Sequence, residues 1–263
     1  INIEVITCND NMSFKFSKNV KFIGKKNSFW HNKSRYIKYF LCLIILFITL
    51  IKKKEKTLVF AFQANIYAII IAKILNVKII TRSNSAPSGW SKNYIKNSVY
   101  KFIIKLSNDV MVNSIEFKKS FEKKFKVKVA CIYNPFNKNF IIDKLKSKKK
   151  LKFFKKNYLN IISVGRLTDQ KDHLTLLKSI KLLEPEFKIK VIIIGKGINE
   201  KPLQNFITEN KLKEKIKLLG YTNNPFPYIR KANIVILTSR FEGLPNILLE
   251  AQYLRKYISS TDC

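Results

Sequence analysis

The sequence has 263 residues, which corresponds to about two domains of ordinary size. Hydrophobic residues make up 46% of the chain, enough for a sizeable core, and only 7 Gly and 7 Pro exclude collagen-like and low-complexity proteins. Lys and Arg number 51 against 17 Asp and Glu, a formal net charge of +34, which indicates nucleic acid, an anionic membrane face or phosphorylated substrates as partners.

The predicted strands and helices alternate along the whole chain. In the first half, strands are predicted at 3–7, 20–23, 57–62, 77–81, 110–113 and 127–133, and helices at 34–51, 64–76, 92–106 and 114–124. In the second half, strands are predicted at 160–164, 188–194, 216–219, 234–238 and 258–260, and helices at 172–183, 199–210, 225–231 and 245–254. Strands that are apolar on both faces and separated by helices indicate parallel sheets covered by helices.

The stretch 137–157 is different because it is rich in Lys and has no strand pattern. We interpret it as a partly helical interdomain linker and assign the two domains to 1–150 and 151–263. Ligands of parallel sheets bind beyond the carboxyl ends of the strands, so two such domains are expected to face each other across a cleft.

The longest apolar run covers 39–51 and is only 13 residues long. A membrane span needs about 20 residues, so a helix buried against a sheet and a helix at a lipid–water boundary both fit. Lysines lie on both sides of the run, at Lys38 and at 52–54.

The positive charge is concentrated in the first half. Residues 1–150 carry 31 basic and 7 acidic residues, a net charge of +24, whereas residues 151–263 carry 20 and 10, a net charge of +10. Nearly all bases of the first half are Lys, which suits diffuse attraction rather than planar recognition. A bias toward solvated Lys and a surface that faces a membrane or polyanion explain this charge equally well.

Two cations follow the first strand of the second half. Gly165 allows a sharp turn and a close approach of a ligand, and Arg166 and Lys171 lie on the loop that enters the next helix. Cations beside a helix N-terminus form an anion site, although two bases on a loop of a basic protein can also be incidental.

Two carboxylates follow the strand at 234–238. Glu242 precedes a helix whose first position suits Pro245, and the N–H groups of Gly243 and Leu244 are expected to be free. The positive end of the helix dipole is sufficient to explain Glu242. Glu250 lies about two turns further on among apolar neighbours, where a carboxylate needs partners such as sugar hydroxyls.

Together these segments resemble the donor-binding domain of the group 1 glycosyltransferase family, retaining enzymes of the GT-B fold (sequence family 4). The run 165–171, GRLTDQK, is similar to the family's G-R-L-x-x-Q-K, and 242–250, EGLPNILLE, is similar to its E-x7-E element. Smaller matches lie at 134–135, 193–197, 219–221 and 260–262. The resemblance covers nearly all of 160–263 and, more loosely, 57–135.

The resemblance implies roles for the residues of the second half. Gly165 lies in the donor-binding loop, and Arg166 and Lys171 bind the diphosphate of a nucleotide sugar and stabilise the charge that develops on the leaving nucleotide. Glu250 holds the ribose hydroxyls, and Tyr221 lies against the base.

The transferred sugar is held, by the same resemblance, by Glu242 and the N–H groups of Gly243 and Leu244. The implied catalytic set is Arg166, Lys171 and Glu242, with no metal and no cofactor. If a double displacement operates instead of front-face attack, Glu242 is the first candidate nucleophile.

The implied reaction transfers a sugar, with retention, from a nucleotide-diphosphate sugar such as a UDP-sugar. The acceptor is lipid-linked or a polysaccharide or lipopolysaccharide, at the inner face of the cell membrane in the cytoplasm, where the basic half attracts anionic lipid. On the acceptor side, Arg82, Ser83 and Asn84 in the polar segment 81–90 are candidates, although 87–89 can also be a simple turn. An inactive truncated glycosyltransferase and, less well supported, a basic nucleic-acid-binding protein are the alternatives.

The sequence departs from the family pattern in three places. The first strand and the last helices of the family are missing, so we expect a fragment truncated at both ends. Arg255 stands where a Gly relieves a left-handed turn, which makes the last strand less secure. His173 starts a helix and is interpreted as a solvated or capping residue.

Overall fold

The computed structural model describes residues 2–7, 19–23, 34–53, 57–62, 65–84, 93–147 and 152–263. The chain divides into two units, Ile1–Tyr133 and Asn134–Cys263, which we call unit 1 and unit 2. Each strand and helix predicted from the sequence is present within two residues of its expected limits. The α/β class with parallel sheets is therefore confirmed.

Unit 1 contains a two-stranded and a four-stranded parallel sheet, with strand orders β1-β2 and β3-β4-β5-β6. Consecutive strands of the larger sheet are neighbours, so right-handed crossovers bring α2, α3 and α4 to the same face. The elements are β1 (Ile3–Ile6), β2 (Val20–Ile23), α1 (Arg35–Lys52), β3 (Leu58–Ala61), α2 (Asn65–Ile74), β4 (Lys78–Ser83), α3 (Tyr94–Lys105), β5 (Asp109–Val112), α4 (Ile115–Phe125) and β6 (Val129–Cys131).

Helix α4 shows how the sequence forms a helix of unit 1: a polar capping residue is followed by apolar residues at helical spacing. Ser114 begins α4 by accepting a hydrogen bond from the N–H of Phe117 at 3.1 Å, and it is followed by Phe117, Phe121 and Phe125, which are all buried at a spacing of four. These three rings pack with Val110, Val112 and Val129 of the sheet. The spacing of the Phe residues thus decides which side of α4 covers β5 and β6.

The apolar run at 39–51 lies in α1, and it is buried along one stripe only. Leu50 is buried and Leu43 and Leu46 pack against the same core cluster, while Phe40 and Phe47 on the other side are exposed. Within the described residues, no helix is long and apolar enough to cross a membrane.

Unit 2 contains a five-stranded parallel sheet with strand order β11-β10-β7-β8-β9. The chain runs outward from β7 to β9 and then returns to the other side of β7 with β10 and β11. The elements are α5 (Lys138–Leu145), β7 (Leu159–Val164), α6 (His173–Leu183), β8 (Ile189–Ile194), α7 (Glu200–Glu209), β9 (Ile216–Gly220), α8 (Phe226–Lys231), β10 (Ile234–Leu237), α9 (Asn246–Tyr253) and β11 (Tyr257–Ser260).

Both faces of the sheet in unit 2 carry an apolar core. One cluster joins α6 and α7 to Ile161, Val191 and Ile193, and the other joins α5, α8 and α9 to Ile162 and Ile192. Because side chains alternate along a strand, β7 and β8 supply residues to both clusters. Every residue of β8 is buried, as expected for a strand covered on both faces.

Helix α5 belongs to unit 2, although the sequence suggests that it lies in a linker that ends at 150. Its Phe140 ring packs edge-on against Phe226 of α8 at 6.0 Å, and the carbonyl of Lys144 accepts a hydrogen bond from the side chain of Asn224 at 2.7 Å. These contacts place the division of the chain before α5, at 133/134 rather than at 150.

The last strand is present despite Arg255. Arg255 adopts the left-handed conformation, with a φ of 53°, just after α9. The N–H of Lys256 donates to the carbonyl of Ala251 at 3.0 Å, which closes the helix end, and β11 pairs with β10 in parallel. The chain thus tolerates at Arg255 the strain that a Gly would remove.

Candidate functional site

The loops that carry the two motifs meet beyond the carboxyl ends of β7 and β10. These strands are neighbours, with Ile161 opposite Ile234, although these two residues are 73 positions apart in the chain. The chain leaves this point toward β8 on one side and reaches β10 on the other. Such a reversal in strand order opens a crevice at the strand ends, where parallel sheets bind their ligands.

The loop after β7 is shaped by a contact between Gly165 and Lys171. A Cβ atom on Gly165 would lie 3.3 Å from Cδ of Lys171, so the aliphatic part of this lysine crosses directly over the glycine. The φ angle of Gly165 is not in the left-handed region, so the sharp turn expected there does not need glycine. Gly165 instead leaves room for the lysine that the sequence predicts to bind phosphate.

The loop after β8 holds the first loop in place through two glycines. A Cβ on Gly195 would lie 1.8 Å from the carbonyl oxygen of Gly165, and a Cβ on Gly197 would lie 2.2 Å from that of Leu167. The backbones therefore touch at both points, and no side chain fits at either. The side chain of Asn199 also donates to Oδ1 of Asp169 at 2.7 Å.

The loop after β10 is joined to the loop after β7 by a network of hydrogen bonds. The Thr238 hydroxyl donates to the carbonyls of Lys171 and Asp172 at 3.2 and 2.9 Å. The backbone N–H of Arg240 donates to the carbonyl of Gln170, whose side chain donates in return to the carbonyl of Phe241 at 3.1 Å. The sequence did not indicate Thr238 or Gln170 as parts of this network.

Asp172 and Arg240 form an ion pair in the same network. Nε of Arg240 lies 3.0 Å from Oδ2 of Asp172. The other carboxylate oxygen, Oδ1, caps α6 by accepting from the N–H of Thr175. Desolvation acts to raise the pKa of Asp172, but the hydrogen bonds from Arg240 and Thr175 bring it below its ordinary value. Neither residue was a candidate from the sequence, and their adjacency depends on β7 and β10 being neighbours.

Lys171 and Glu242 form an ion pair across the two loops. Their side chains are only 15% and 14% exposed. Arg166, by contrast, is exposed, and its guanidinium donates to Oε1 of Gln170 at 3.3 Å. The structure thus brings all three predicted catalytic residues to one crevice, with one cation neutralised by a carboxylate and the other open to an anion.

The segment between Glu242 and α9 presents backbone donors. Pro245 is the N-cap of α9, whereas the sequence analysis placed it at the first position inside the helix. In the part of the chain that the structure describes, the N–H groups of Gly243 and Leu244 donate to no acceptor. Such donors beside a helix N-terminus suit a negatively charged or hydroxyl-bearing ligand.

Glu250 borders a cavity of about 160 Å³. Among the described residues nothing hydrogen-bonds its carboxylate, and burial raises its pKa from 4.5 to about 7. The other residues that line the cavity are Pro135, Phe136, Asn137, Phe140, Ile141, Asn246 and Leu249. Five of the eight lining residues lie in 135–141, where the sequence indicated only a small family match at 134–135 and the start of a linker at 137.

Helix α5 connects this cavity to the loop after β9. Its first turn lines the cavity, and its last turn contacts Asn224, three residues after Tyr221. Tyr221 itself is exposed, and β9 is separated from β10 by two strands. The structure therefore does not bring Tyr221 into contact with the paired loops of β7 and β10.

His173 is buried, which corrects the interpretation of a solvated or capping residue. It is 3% exposed, and Asp172 is the cap of α6. Burial and the nearby Lys171 charge lower its pKa from 6.5 to about 4, so it is neutral near pH 7. It follows Asp172, whose φ of 42° lies in the left-handed region, a feature that the local sequence pattern does not reveal.

The acceptor-side candidates lie at the carboxyl end of β4 in unit 1. The guanidinium of Arg82 donates to the carbonyl of Ile132 at 3.1 Å and to Oδ1 of Asn84 at 3.3 Å, which ties the ends of β4 and β6 together across β5. Ser83 is buried and Asn84 is exposed. The following segment, 85–92, lies outside the described residues.

No group of three or more His, Cys, Asp or Glu side chains within the described ranges is placed to hold a metal ion. Cys131 and Cys263 are free thiols. That the reaction needs no metal stays a prediction.

The chain is similar to known proteins in sequence. Residues 143–263 match the family described as Glycosyl transferases group 1. An uncharacterized glycosyltransferase of Methanocaldococcus jannaschii is 33% identical over 175 residues, which cover 62% of this chain and 42% of the relative. The N-acetylgalactosamine-N,N'-diacetylbacillosaminyl-diphospho-undecaprenol 4-alpha-N-acetylgalactosaminyltransferase of Campylobacter jejuni is 38% identical over 91 residues, 35% of this chain and 24% of that enzyme.

The fold is also that of solved glycosyltransferases. The crystal structure of Anabaena HepE in complex with UDP and glucose superposes with a TM-score of 0.74 at 16% identity, covering 99% of this chain and 73% of that one. The matched segments span less than half of either sequence relative. Residues 143–263 thus match the glycosyl transferases group 1 family, and the chain shares its fold with solved glycosyltransferases.

Proposed function

We propose that this chain acts as a glycosyltransferase that moves a sugar, with retention of configuration, from a nucleotide-diphosphate sugar to a lipid-linked or polysaccharide acceptor. The observation that carries the proposal is the joining of the loops after β7 and β10, which gathers Arg166, Lys171 and Glu242 at the reversal of strand order. A UDP-sugar is the proposed donor, since HepE was crystallised with UDP and glucose. The acceptor class is supported by the Campylobacter jejuni relative, whose name specifies a diphospho-undecaprenol acceptor.

The diphosphate binds to Arg166 and Lys171 in this proposal. Arg166 is exposed and can form two parallel hydrogen bonds with phosphate oxygens. Lys171 is held by Glu242 before the donor binds, so the donor phosphate shares this lysine with the carboxylate. As the bond to the sugar breaks, both cations stabilise the charge that accumulates on the departing diphosphate.

The transferred sugar lies against Glu242 and the backbone donors of Gly243 and Leu244. A carboxylate accepts hydrogen bonds from sugar hydroxyls, and the two N–H groups can donate to others. In a front-face reaction, the departing phosphate accepts the proton of the acceptor hydroxyl. If a double displacement operates instead, Glu242 is the nucleophile to test first.

The nucleoside lies on the side of Glu250. Its carboxylate has no protein partner among the described residues, and two ribose hydroxyls can supply the hydrogen bonds that burial demands. Tyr221 is proposed to lie against the base, beyond the far end of α5. Gly165 keeps Lys171 in the position that the phosphate needs.

The acceptor is proposed to contact Arg82, Ser83 and Asn84 of unit 1. The proposed location is cytoplasmic, at the inner face of the cell membrane, where anionic lipid attracts the basic first half of the chain. Neither a metal, another cofactor nor nucleic acid is part of the proposed reaction.

The experiment that tests this function combines a screen for donor hydrolysis with thermal melts in the presence of UDP. A ligand of the native state raises the melting midpoint, so we expect UDP to stabilise the parent chain. Arg166→Ala is expected to weaken UDP binding about tenfold or more, because it removes charge-assisted hydrogen bonds. The matched control is Arg230→Ala in the last turn of α8, before β10 and thus at the opposite end of the strands.

The outcomes separate the alternatives. Equal UDP binding by Arg166→Ala and the parent chain would refute the diphosphate role. A parent chain that UDP does not stabilise would favour the alternative of an inactive truncated glycosyltransferase. Salt-dependent binding of DNA that is tighter than the binding by an equally charged control protein would favour a nucleic-acid-binding protein.

A further inference from the structure

Three helices of unit 1 lie side by side in one layer. Helices α2 and α3 cross over between consecutive strands of the four-stranded sheet and therefore cover the same face of it. Helix α1 contacts α2, and α2 contacts α3. Each helix consequently has one side toward the core and an outer side away from it.

The outer sides of these helices are apolar. On α1 the exposed residues follow a spacing of three or four along the whole helix, opposite the buried stripe of Leu43, Leu46 and Leu50. We define the outer helix face by the large apolar side chains of the three helices that are at least 37% exposed: Tyr36, Ile37, Phe40, Ile44, Phe47, Ile48 and Ile51 of α1, Tyr67, Ile70 and Ile74 of α2, and Tyr94, Ile95, Val99 and Phe102 of α3.

Helix α4, which covers the same face of the sheet, has no comparable apolar outer side. The large apolar side chains of α4 are buried except Ile115, and its outer positions carry Lys119 and Lys123. This is the ordinary pattern of a surface helix. Exposed large apolar side chains along three neighbouring helices are rare on a protein that remains in water and indicate an interaction site.

The charge of the three helices selects an anionic partner. The segments Arg35–Lys52, Asn65–Ile74 and Tyr94–Lys105 contain seven basic residues and no Asp or Glu. The bases are spread over all three helices, as suits a field of lipid headgroups better than a single acidic group. Apolar side chains, Tyr residues and lysines on one surface are the combination by which helices bind at a lipid–water boundary.

We propose that the outer helix face is the surface by which unit 1 docks on an anionic lipid bilayer. Helix α1 lies in the plane of the membrane surface, since its exposed stripe runs along all 18 residues, about 27 Å. Phe40, Phe47 and their apolar neighbours enter the boundary between headgroups and acyl chains, and Lys52, Lys73 and Lys96 contact the headgroups. This extends the proposed function, because a lipid-linked acceptor lies in the same membrane.

Co-sedimentation with vesicles tests the docking surface on the chain of residues 1–263. Phosphatidylcholine vesicles with and without phosphatidylglycerol are the probes, and we expect stronger binding to the anionic vesicles. Phe40→Ser together with Phe47→Ser is expected to lower the partition coefficient about tenfold or more. Lys52→Gln together with Lys96→Gln is expected to lower it roughly 30-fold, at about 1 kcal/mol for each lysine.

The matched control is the pair Lys119→Gln and Lys123→Gln on α4, which removes the same charge from exposed positions outside the outer helix face. We expect it to lower binding less than about threefold. Circular dichroism and the melting midpoint verify that each variant folds. An equal loss for both lysine pairs, or equal binding of the parent chain to neutral and anionic vesicles, would overturn the proposal.

Two further outcomes are distinguishable. The parent chain could fail to bind vesicles and instead form dimers that the Phe40→Ser and Phe47→Ser substitutions disrupt. That result would overturn lipid docking in favour of a protein interface. UDP stabilisation is measured in buffer without vesicles, so its loss counts against the proposed function and not against this surface. Strong anionic binding that depends on the outer helix face supports docking in either case.

Discussion

Replacing Glu250 by Gln is expected to stabilise the ligand-free protein and to weaken its binding of UDP. Burial raises the pKa of this carboxyl from 4.5 to about 7, and no described residue compensates its charge. This rise in pKa corresponds to at most about 3.4 kcal/mol, and we take about 2 kcal/mol because the carboxylate is only partly buried. Gln has nearly the same shape and carries no charge, so it removes this penalty.

The sign of the effect follows from the two states of the chain. Below pH 4.5 the carboxyl is protonated in both the native and the unfolded chain, and Glu250 imposes no penalty. Between pH 4.5 and about 7 the unfolded chain releases the proton while the native chain retains it, so native stability falls as pH rises through this window. Above about pH 7 the full penalty applies.

Thermal melts of the parent chain and Glu250→Gln at about pH 5 and about pH 8 measure the difference. We expect the variant to melt about 4–8 °C higher at about pH 8, and less than half as much higher at about pH 5, which is only about half a pH unit into the window. UDP is expected to raise the midpoint of the parent chain, and more at the higher pH, because ribose hydroxyls bind to the ionised form. Glu250→Gln is expected to lose most of that rise.

The control is Glu209→Gln, an exposed glutamate at the end of α7. It removes the same charge and is expected to shift the midpoint by less than about 1 °C at either pH. A midpoint difference between Glu250→Gln and the parent chain that is the same at both pH values would refute the reasoning. So would full UDP stabilisation of the variant at about pH 8.

Two further substitutions test the backbone around the site. Gly195→Ala would place a Cβ atom 1.8 Å from the carbonyl oxygen of Gly165, so the two loops must separate, and we expect unfolding to become easier by at least about 3 kcal/mol. A Cβ at Gly165→Ala would meet only the flexible Lys171 side chain, at 3.3 Å, so this substitution is expected to cost less than about 1 kcal/mol. Equal losses of unfolding free energy for Gly195→Ala and Gly165→Ala in denaturant titrations would contradict this account. Arg255→Gly is expected to stabilise unit 2 by about 1 kcal/mol, because it relieves the left-handed φ of 53°. Gln252→Gly in the last turn of α9 is expected to destabilise it by about 1 kcal/mol, and a lower melting midpoint for Arg255→Gly would show that the left-handed strain is not relieved.

Much of the fold follows from local patterns in the sequence. The spacing of Phe117, Phe121 and Phe125 predicts α4 and the side of it that is buried, and the apolar run of β8 predicts a central strand. Helix α1 is a contrast, since it is apolar on all sides and its pattern cannot indicate which stripe the core covers. Only the packing of Leu43, Leu46 and Leu50 on α2 leaves the other stripe exposed.

In the candidate site too, local sequence patterns predict some features and only the packing of the elements decides the others. The sequence identifies Gly165, Arg166, Lys171, Glu242 and Glu250, since glycines, cations and carboxylates at strand ends have recognisable spacing. It does not identify the cavity wall from 135–141 or the burial of His173, because neither has a local signal. Both depend on which elements pack together in unit 2.

The chain's charge and length, its alternating strands and helices, and the residues of its two motif loops were determined by the sequence alone, because local hydrophobic period and turn chemistry are sufficient for them. The tertiary structure decided that β10 lies beside β7, which joins Lys171 to Glu242 and Asp172 to Arg240. Strand order depends on which apolar faces pack together over distances of 70 residues and more along the chain, and no local pattern specifies that. For the same reason, only the structure separates the buried stripe of α1 from the exposed one.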